Sequence, residues 1–446
     1  MQKLFKKLTY TQIIVMSFLL VILVGGTLLC LPAATADGTA TSPTNAFFTA
    51  TSATCVTGLI VVDTFTHWSL FGQIVILILI QTGGLGFLMY ISMFSVFLKR
   101  KIGVYERRLL MQAEGNLKLS GAVSSLKRIV FGTFMFEGIG AIILATRFCP
   151  EMGIIEGIFN AVFHSVSAFC NAGFDIMGKY SQFSSLTHFA EDNIVMFTIM
   201  ALIVIGGIGF LVWSDILTFK FKFKKFCLHS KLALTTSAIL LFGSAIIFFA
   251  LEYNGVLKDF SLLDKITNAA FLAVSPRTAG FNTVDLAALK PGSEVITDLL
   301  MLIGGSPGST AGGLKTTTFA VLILSTIAAA RHDTHPQIFK RRLPDDALSQ
   351  ATAIFTIYVL VSLIAIVIIC TVEKCDIPTV AFEVISAIGT VGATKGLTPT
   401  LTIASKLIII GLMFGGRVGG LSLVLSLAEK RENIPLDRPS EKILIG

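Results

Sequence analysis

Four times along the chain a short, half-apolar segment runs into a glycine, and each time a long apolar stretch follows. The segments are NAFFTATSATCVTGL (45–59), NAVFHSVSAFCNAGF (160–174), NAAFLAVSPRTAGF (268–281) and VAFEVISAIGTVGAT (380–394). Their glycines are Gly58, Gly173, Gly280 and Gly392. An internal repeat constrains a fold more than local propensity does, because it says that one structural unit is used several times. Any architecture must give four such units equivalent surroundings.

Composition says what those surroundings are. Of the 446 residues 54% are apolar and 14% charged, and the mean hydropathy is +0.81. A water-soluble surface cannot be built from that inventory, so the bilayer is the solvent. The net charge of +8 would suit a nucleic-acid partner. Lys and Arg, however, gather in the first ten residues and in 99–128, 220–231, 331–350 and 430–446. These are alternate loops, as the positive-inside rule asks of cytoplasmic segments, and no nucleic acid is expected.

Apolar runs long enough to cross about 30 Å of hydrocarbon lie near 10–32, 70–98, 128–147, 194–219, 232–251, 295–329, 351–372 and 402–428. They predict an all-α membrane protein of eight transmembrane helices in the plasma membrane, both termini cytoplasmic. The first run lacks a small-residue cleavage site, so it reads as an uncleaved helix and not a signal peptide. One repeat segment falls between the two spans of each pair, on the side opposite the basic loops. The chain thus divides into four tandem helix, pore loop, helix units: 1–100, 101–225, 226–342 and 343–446. Each unit crosses twice, so all four share an orientation and can surround an axis along the membrane normal, unlike inverted-topology transporters.

The repeat segments are too short and polar to span. Non-helical backbone at membrane depth is tolerated only where it lines a wet cavity or is buried in protein. A half-helix descending and an extended strand returning would aim backbone carbonyls at the axis, where they can replace a cation's hydration shell. Glycine suits such a strand because it reaches positive φ.

The four segments and their following helices resemble the Trk/Ktr/HKT superfamily of potassium transporters. The lack of extra N-terminal helices and the tail RPSEKILIG are most similar to its bacterial KtrB branch. The resemblance implies potassium uptake through a central pore, with K⁺ as the transported ion and Na⁺ as a second candidate. It implies a filter at Val56, Thr57 and Gly58; Asn171, Ala172 and Gly173; Thr278, Ala279 and Gly280; and Thr390, Val391 and Gly392. Most of these would offer main-chain oxygens, and four glycines go with preference for potassium over sodium. The implied partners are a second copy in a homodimer and a cytosolic ring of RCK regulatory subunits of the KtrA type, binding ATP/ADP or NAD(H). A Na⁺- or H⁺-coupled symporter remains the alternative.

The repeat is imperfect. The opening Asn stands 13 residues before the glycine in the first two segments and 12 in the third, where Pro276 and Arg277 precede the filter. Thr379 replaces Asn45, Asn160 and Asn268 in the fourth. A filter that is not fourfold symmetric in detail is expected.

After the third segment comes IGGSPGSTAGGLKTTT (303–318). Its glycines and Pro307 cannot continue a regular helix, so the span breaks at mid-membrane. GSTAGGLKT nearly spells a phosphate-binding loop, but Leu314 separates Gly313 from Lys315 and no soluble sheet precedes it. By resemblance the break is an intramembrane gate: Gly304, Gly305, Ser306, Pro307, Gly308, Ser309, Thr310, Ala311, Gly312 and Gly313, with Lys315 and Arg417. Charges inside a membrane span are functional candidates by default. Arg417 reads as a plug on the loop carbonyls or as a staple between helices, roles that can coexist. Glu137 reads as structural, and the glycine pairs at 83, 206 and 415 as close-packing sites in unbroken helices.

Asp63, Asp175, Asp285 and Glu383 near the outer mouth read for the most part as loop charges or helix caps, the alternative being that they concentrate cations electrostatically. Seven cysteines give no paired framework, and Cys55 and Cys170 read as small fillers. No cluster of His, Asp and Glu suggests catalysis, so no enzyme is expected.

Overall fold

The computed structural model describes residues 9–86, 89, 122–220, 222–333, 335–344 and 346–419. Each unit opens with a continuous helix: α1 (Tyr10–Leu29), α4 (Ala122–Met152), α8 (Leu228–Glu252) and α12 (Ala347–Glu373). Among the described residues these four are the continuous helices long and apolar enough to span a membrane. Their outward residues form a lipid-facing skin, with Phe131 72%, Phe242 74% and Ile246 71% exposed. Such exposure of large apolar groups is stable only in hydrocarbon.

A short helix returns from each: α2 (Pro43–Thr54), α5 (Ile154–Phe169), α9 (Leu262–Val274) and α13 (Ile377–Gly389). Their starts are fixed by local chemistry. Ser261 and Asp376 accept the N–H groups of Asp264 and Thr379 as N-caps, while Pro43 and Pro378 stand in the first turns. Gly153 alone, at φ 89°, joins α4 to α5.

The second helix differs from expectation in units one, two and four, while that of unit three breaks where expected. Unit one has α3 (Leu70–Leu85), which ends at Gly86 with φ 88°. Unit two has α6 (Asn193–Gly207) and α7 (Phe210–Phe219), which meet at 95° across Gly209 at φ 97°. Unit three has α10 (Pro291–Leu302) and α11 (Thr316–Ala330) on either side of the loop. Unit four has α14 (Ile403–Val418), ending at Gly419 with φ 90°. The unbroken spans expected over 70–98, 194–219 and 402–428 are therefore corrected. Hydropathy does not register backbone dihedrals, and at φ near +90° only glycine avoids a Cβ clash. Residues 90–98 and 420–428, like the N-terminal eight, fall outside the described residues.

Packing closes the units into a ring. α3 lies against α5, α6 against α9, α10 against α13 and α14 against α2. Each second helix thus supports the pore helix of the next unit, the last supporting the first. One apolar cluster, containing Ile22, Phe48, Leu59, Tyr358, Ile388 and Met413, fills the seam between units four and one. A short hairpin, β1 (Gln337–Ile338) and β2 (Arg341–Arg342), forms part of the basic link between α11 and α12.

Candidate pore site

The four glycines meet. A Cβ on Gly58 would stand 2.5 Å from the carbonyl oxygen of Ala172, and one on Gly173 2.4 Å from that of Ala279. On Gly280 it would meet the Val391 oxygen at 2.1 Å, and on Gly392 the Thr57 oxygen at 2.1 Å. No side chain fits there, and the contacts run once around and close. Thr57, Ala172, Ala279 and Val391 thereby bring four backbone carbonyls to one level.

The backbone repeats although the residues do not. Val56, Asn171, Thr278 and Thr390 have φ 57°, 58°, 70° and 50°, and the glycine two places on is positive each time. The asymmetry expected from the shorter third segment is absent from this backbone signature. A serine absorbs it. Ser52 and Ser386 accept from the Gly58 and Gly392 N–H groups, each at 3.1 Å, while Ser167 donates to the Phe174 carbonyl at 2.6 Å and Ser275 to that of Phe281. These serines stand six residues before the glycine in three units and five in the third. Their recurrence is visible in the four segments, but the glycines drew the sequence reading away from it.

All four short helices end at this ring, so their C-terminal carbonyls and the negative ends of their dipoles converge there. Cations are favoured at such a point. Cys55 and Cys170 are fully buried fillers.

The loop between α10 and α11 lies across one side of the ring. Its ends are zipped by Gly304 N–H to Leu314 O (2.8 Å) and Thr316 N–H to Gly305 O (3.1 Å). A Cβ on Gly304 would touch Thr278, and one on Gly312 would strike the Thr390 hydroxyl, while Thr310 lies 3.3 Å from the Asn171 amide. Three of the four ring segments therefore face it.

Basic side chains hold the loop's carbonyls. Lys315 Nζ donates to Ala311 O at 2.7 Å and Gly312 O at 3.2 Å. Arg417 donates to Thr310 O in the loop and to Gly83 O and Gly84 O (2.9 Å) at the end of α3. Arg417 is half-buried, and its fork joins units one, three and four. The sequence reading passed over Arg277. This residue is buried, with Nη2 3.1 Å from the Ser237 hydroxyl and 3.5 Å from Gly304 O, and has no carboxylate partner among the described residues.

The remaining candidates are engaged in hydrogen bonds within the protein. Glu137 accepts from Gln81 Nε2 at 3.1 Å. Asp63 caps the Phe65 and Thr66 N–H groups and accepts from Phe183, and Asp285 caps Ala287. Glu383 is buried and accepts from Thr394, Leu397 and Thr398 behind the fourth ring segment. The glycine pairs do pack closely, a Cβ on Gly83 meeting Thr54 O at 1.9 Å and one on Gly206 meeting Phe169 O at 2.0 Å.

Membrane-length helices around four inward pore loops define an all-α membrane transporter. The family of TrkH cation transport proteins matches residues 4–434, and the chain belongs to that family. It is 40% identical to the potassium/sodium uptake protein NtpJ of Enterococcus hirae, over 99% of this chain and 98% of that one. It is 39% identical to the Ktr system potassium uptake protein B of Bacillus subtilis, over 99% and 97%, and 36% identical to that of Vibrio alginolyticus, over 98% and 94%. The solved potassium transporter TrkH of Vibrio parahaemolyticus shares the fold, with a TM-score of 0.72 at 18% identity over 92% of this chain and 84% of that one. The family is one of transporters, not enzymes.

Proposed function

We propose that the chain takes up K⁺ across the plasma membrane through the glycine ring, with the loop at 304–313 as its gate. The observation that carries this is the closed succession of contacts Gly58, Gly173, Gly280, Gly392, which brings the carbonyls of Thr57, Ala172, Ala279 and Val391 together around one axis. Carbonyl oxygens replace water around a weakly hydrated monovalent cation without a compensating fixed charge. Below the ring, Arg417 and Lys315 hold the loop closed and place positive charge in the cation's path. The units 1–100, 101–225, 226–342 and 343–446 each contribute one quarter, with both termini cytoplasmic.

The names of the Ktr relatives support a multi-component system. An RCK ring of the KtrA type, binding ATP/ADP or NAD(H) and lying under a homodimer of the membrane chain, would reach the gate through the basic cytoplasmic loops. The name of NtpJ favours one second reading, in which Na⁺ is coupled to or shares the path. Growth of a potassium-uptake-deficient bacterium on low potassium, with the partner present, tests the assignment. Failure of wild type to restore growth would reject it, and Gly58→Ser with unaltered K⁺/Na⁺ discrimination would reject the filter.

A further inference from the structure

The loop of unit three does not merely lie near unit two; it completes a gap in that unit's hydrogen bonding. Where α6 stops, the last-turn carbonyls lose their helical partners. Gly207 O accepts from Ser306 N–H at 2.9 Å and Gly206 O from Thr310 N–H at 3.3 Å. Across the break the Phe210 N–H, the first of α7, donates to Gly308 O at 2.7 Å. The fit is steric as well. A Cβ on Gly209 would stand 2.9 Å from Pro307 O, and one on Gly305 2.9 Å from Gly207 O.

Thr310 is the centre of this seat and is wholly buried. Its hydroxyl donates to Phe169 O at 3.1 Å, the end of the second pore helix, and its carbonyl receives Arg417. Asn171 lies between the Thr310 hydroxyl and the Thr278 hydroxyl, 3.3 Å from each. With its nitrogen toward the loop, the orientation that gives the amide compatible partners, its two N–H donors have three acceptors within reach, Thr310 Oγ1 at 3.3 Å, Phe169 O at 3.2 Å and Ile203 O at 3.3 Å. The same residue holds φ 58° in the second ring segment. Asn is among the few side chains that tolerate that backbone, so one residue meets both demands.

We infer that the helix break of unit two is the seat on which the loop closes, and that Asn171, acting through Thr310, is the positioning residue that makes loop seating and the shape of the second ring segment a single event. The inference rests on the reading of the loop as a gate. Unseating the loop withdraws a partner from Asn171 and so alters the ring. Displacing α7 likewise withdraws the Phe210 donor from the loop.

The test is Rb⁺ flux into liposomes holding the full chain without a cytosolic partner, with the K⁺/Na⁺ preference read in parallel. Thr310→Val removes the hydroxyl at constant shape, and Asn171→Gly removes the amide while keeping a residue at ease with positive φ. Each is expected to raise flux about tenfold, the effect of one buried hydrogen bond on a two-state equilibrium. The double variant should exceed neither single by more than about twofold, since coupled residues are not additive. Thr310→Val should also shift the K⁺/Na⁺ preference, although it is not in the ring, and Thr310→Ser should restore wild-type values of both. Thr326→Val, an exposed threonine on α11, is the control. Deleting Gly308–Gly312 separates the two readings. If the deletion leaves flux unchanged, the gate itself is rejected. If the deletion raises flux while Thr310→Val and Asn171→Gly are silent, multiply independently or leave the ion preference alone, the seat is rejected and the gate stands.

Discussion

Gly392 closes on Thr57. The Cβ that Gly392 lacks would stand 2.1 Å from the Thr57 carbonyl oxygen, so the last quarter of the chain completes a ring begun by the first. At φ 91° the position is also one where an L side chain costs about 1–2 kcal/mol before any clash.

Gly392→Ser should therefore push the Thr57 carbonyl out of the ring. We expect lost discrimination between K⁺ and Na⁺ and a lower melting temperature. Measured flux ratios equal to wild type would show that the Thr57 oxygen does not contact the ion.

Arg417→Ala removes donors from three carbonyls on two other units. Partner-independent Rb⁺ flux should rise, and Arg417→Lys should fall between, because a single ammonium cannot span the fork. A lysine variant as tight as wild type would argue that charge alone suffices.

Ser386→Ala leaves the Gly392 N–H without its acceptor, a loss of about 1–3 kcal/mol for a buried donor. Ser167→Ala instead orphans the Phe174 carbonyl. Both should lower thermal stability, and Ser386→Ala should also blunt ion preference. Equal preference in wild type and Ser386→Ala would reduce the serine to packing.

Arg277 is a buried guanidinium without a carboxylate among the described residues. A like-sized apolar residue can be neutral or stabilising in place of a costly buried charge. Arg277→Met should then keep or raise the melting temperature while loosening the loop at Gly304 and raising flux. A melting point several degrees lower would show that its bond to Ser237 outweighs the desolvation.

His67 lies in the turn between the first ring segment and α3, where its Nε2 meets the Thr41 hydroxyl at 2.9 Å. Burial holds its pKa below the usual 6.5, against the pull of Asp37. The folded state thus takes up its proton less readily than the unfolded chain. The associated stability is present above pH 6.5 and is lost as pH falls toward the folded-state value. Wild type should lose more thermal stability than His67→Gln between pH 7.5 and 5.5, and equal losses would dismiss the histidine.

The four segments and the third helix's break were legible because glycine and proline leave compositional marks. Arg417 was legible because a charge in an apolar run has no bland company. Gly86, Gly209 and Gly419 were not, since leucine, isoleucine and valine beside them continue the apolar run and conceal a dihedral change. The asymmetry of the third segment shows in its hydrogen bonds, where the Ala279 and Gly280 N–H groups both donate to Ser275 O, and not in the signs of φ. Counting residues to Gly280 shows a deletion, but Ser275 moves one place closer and keeps the same backbone signature. The role of Arg277 is not legible, because its partners Ser237 and Gly304 lie 40 and 27 residues away along the chain.

The ring of backbone carbonyls sets a genetic condition. In an assembly of identical subunits, one codon change alters every quarter of the axis at once. Here Val56, Asn171, Thr278 and Thr390 occupy matching places under separate codons. Each can vary alone while the oxygens beside it hold their level. That independence allows Asn171 to bond to the loop without imposing an amide on the other three quarters, and lets selection change one quarter of the ring at a time.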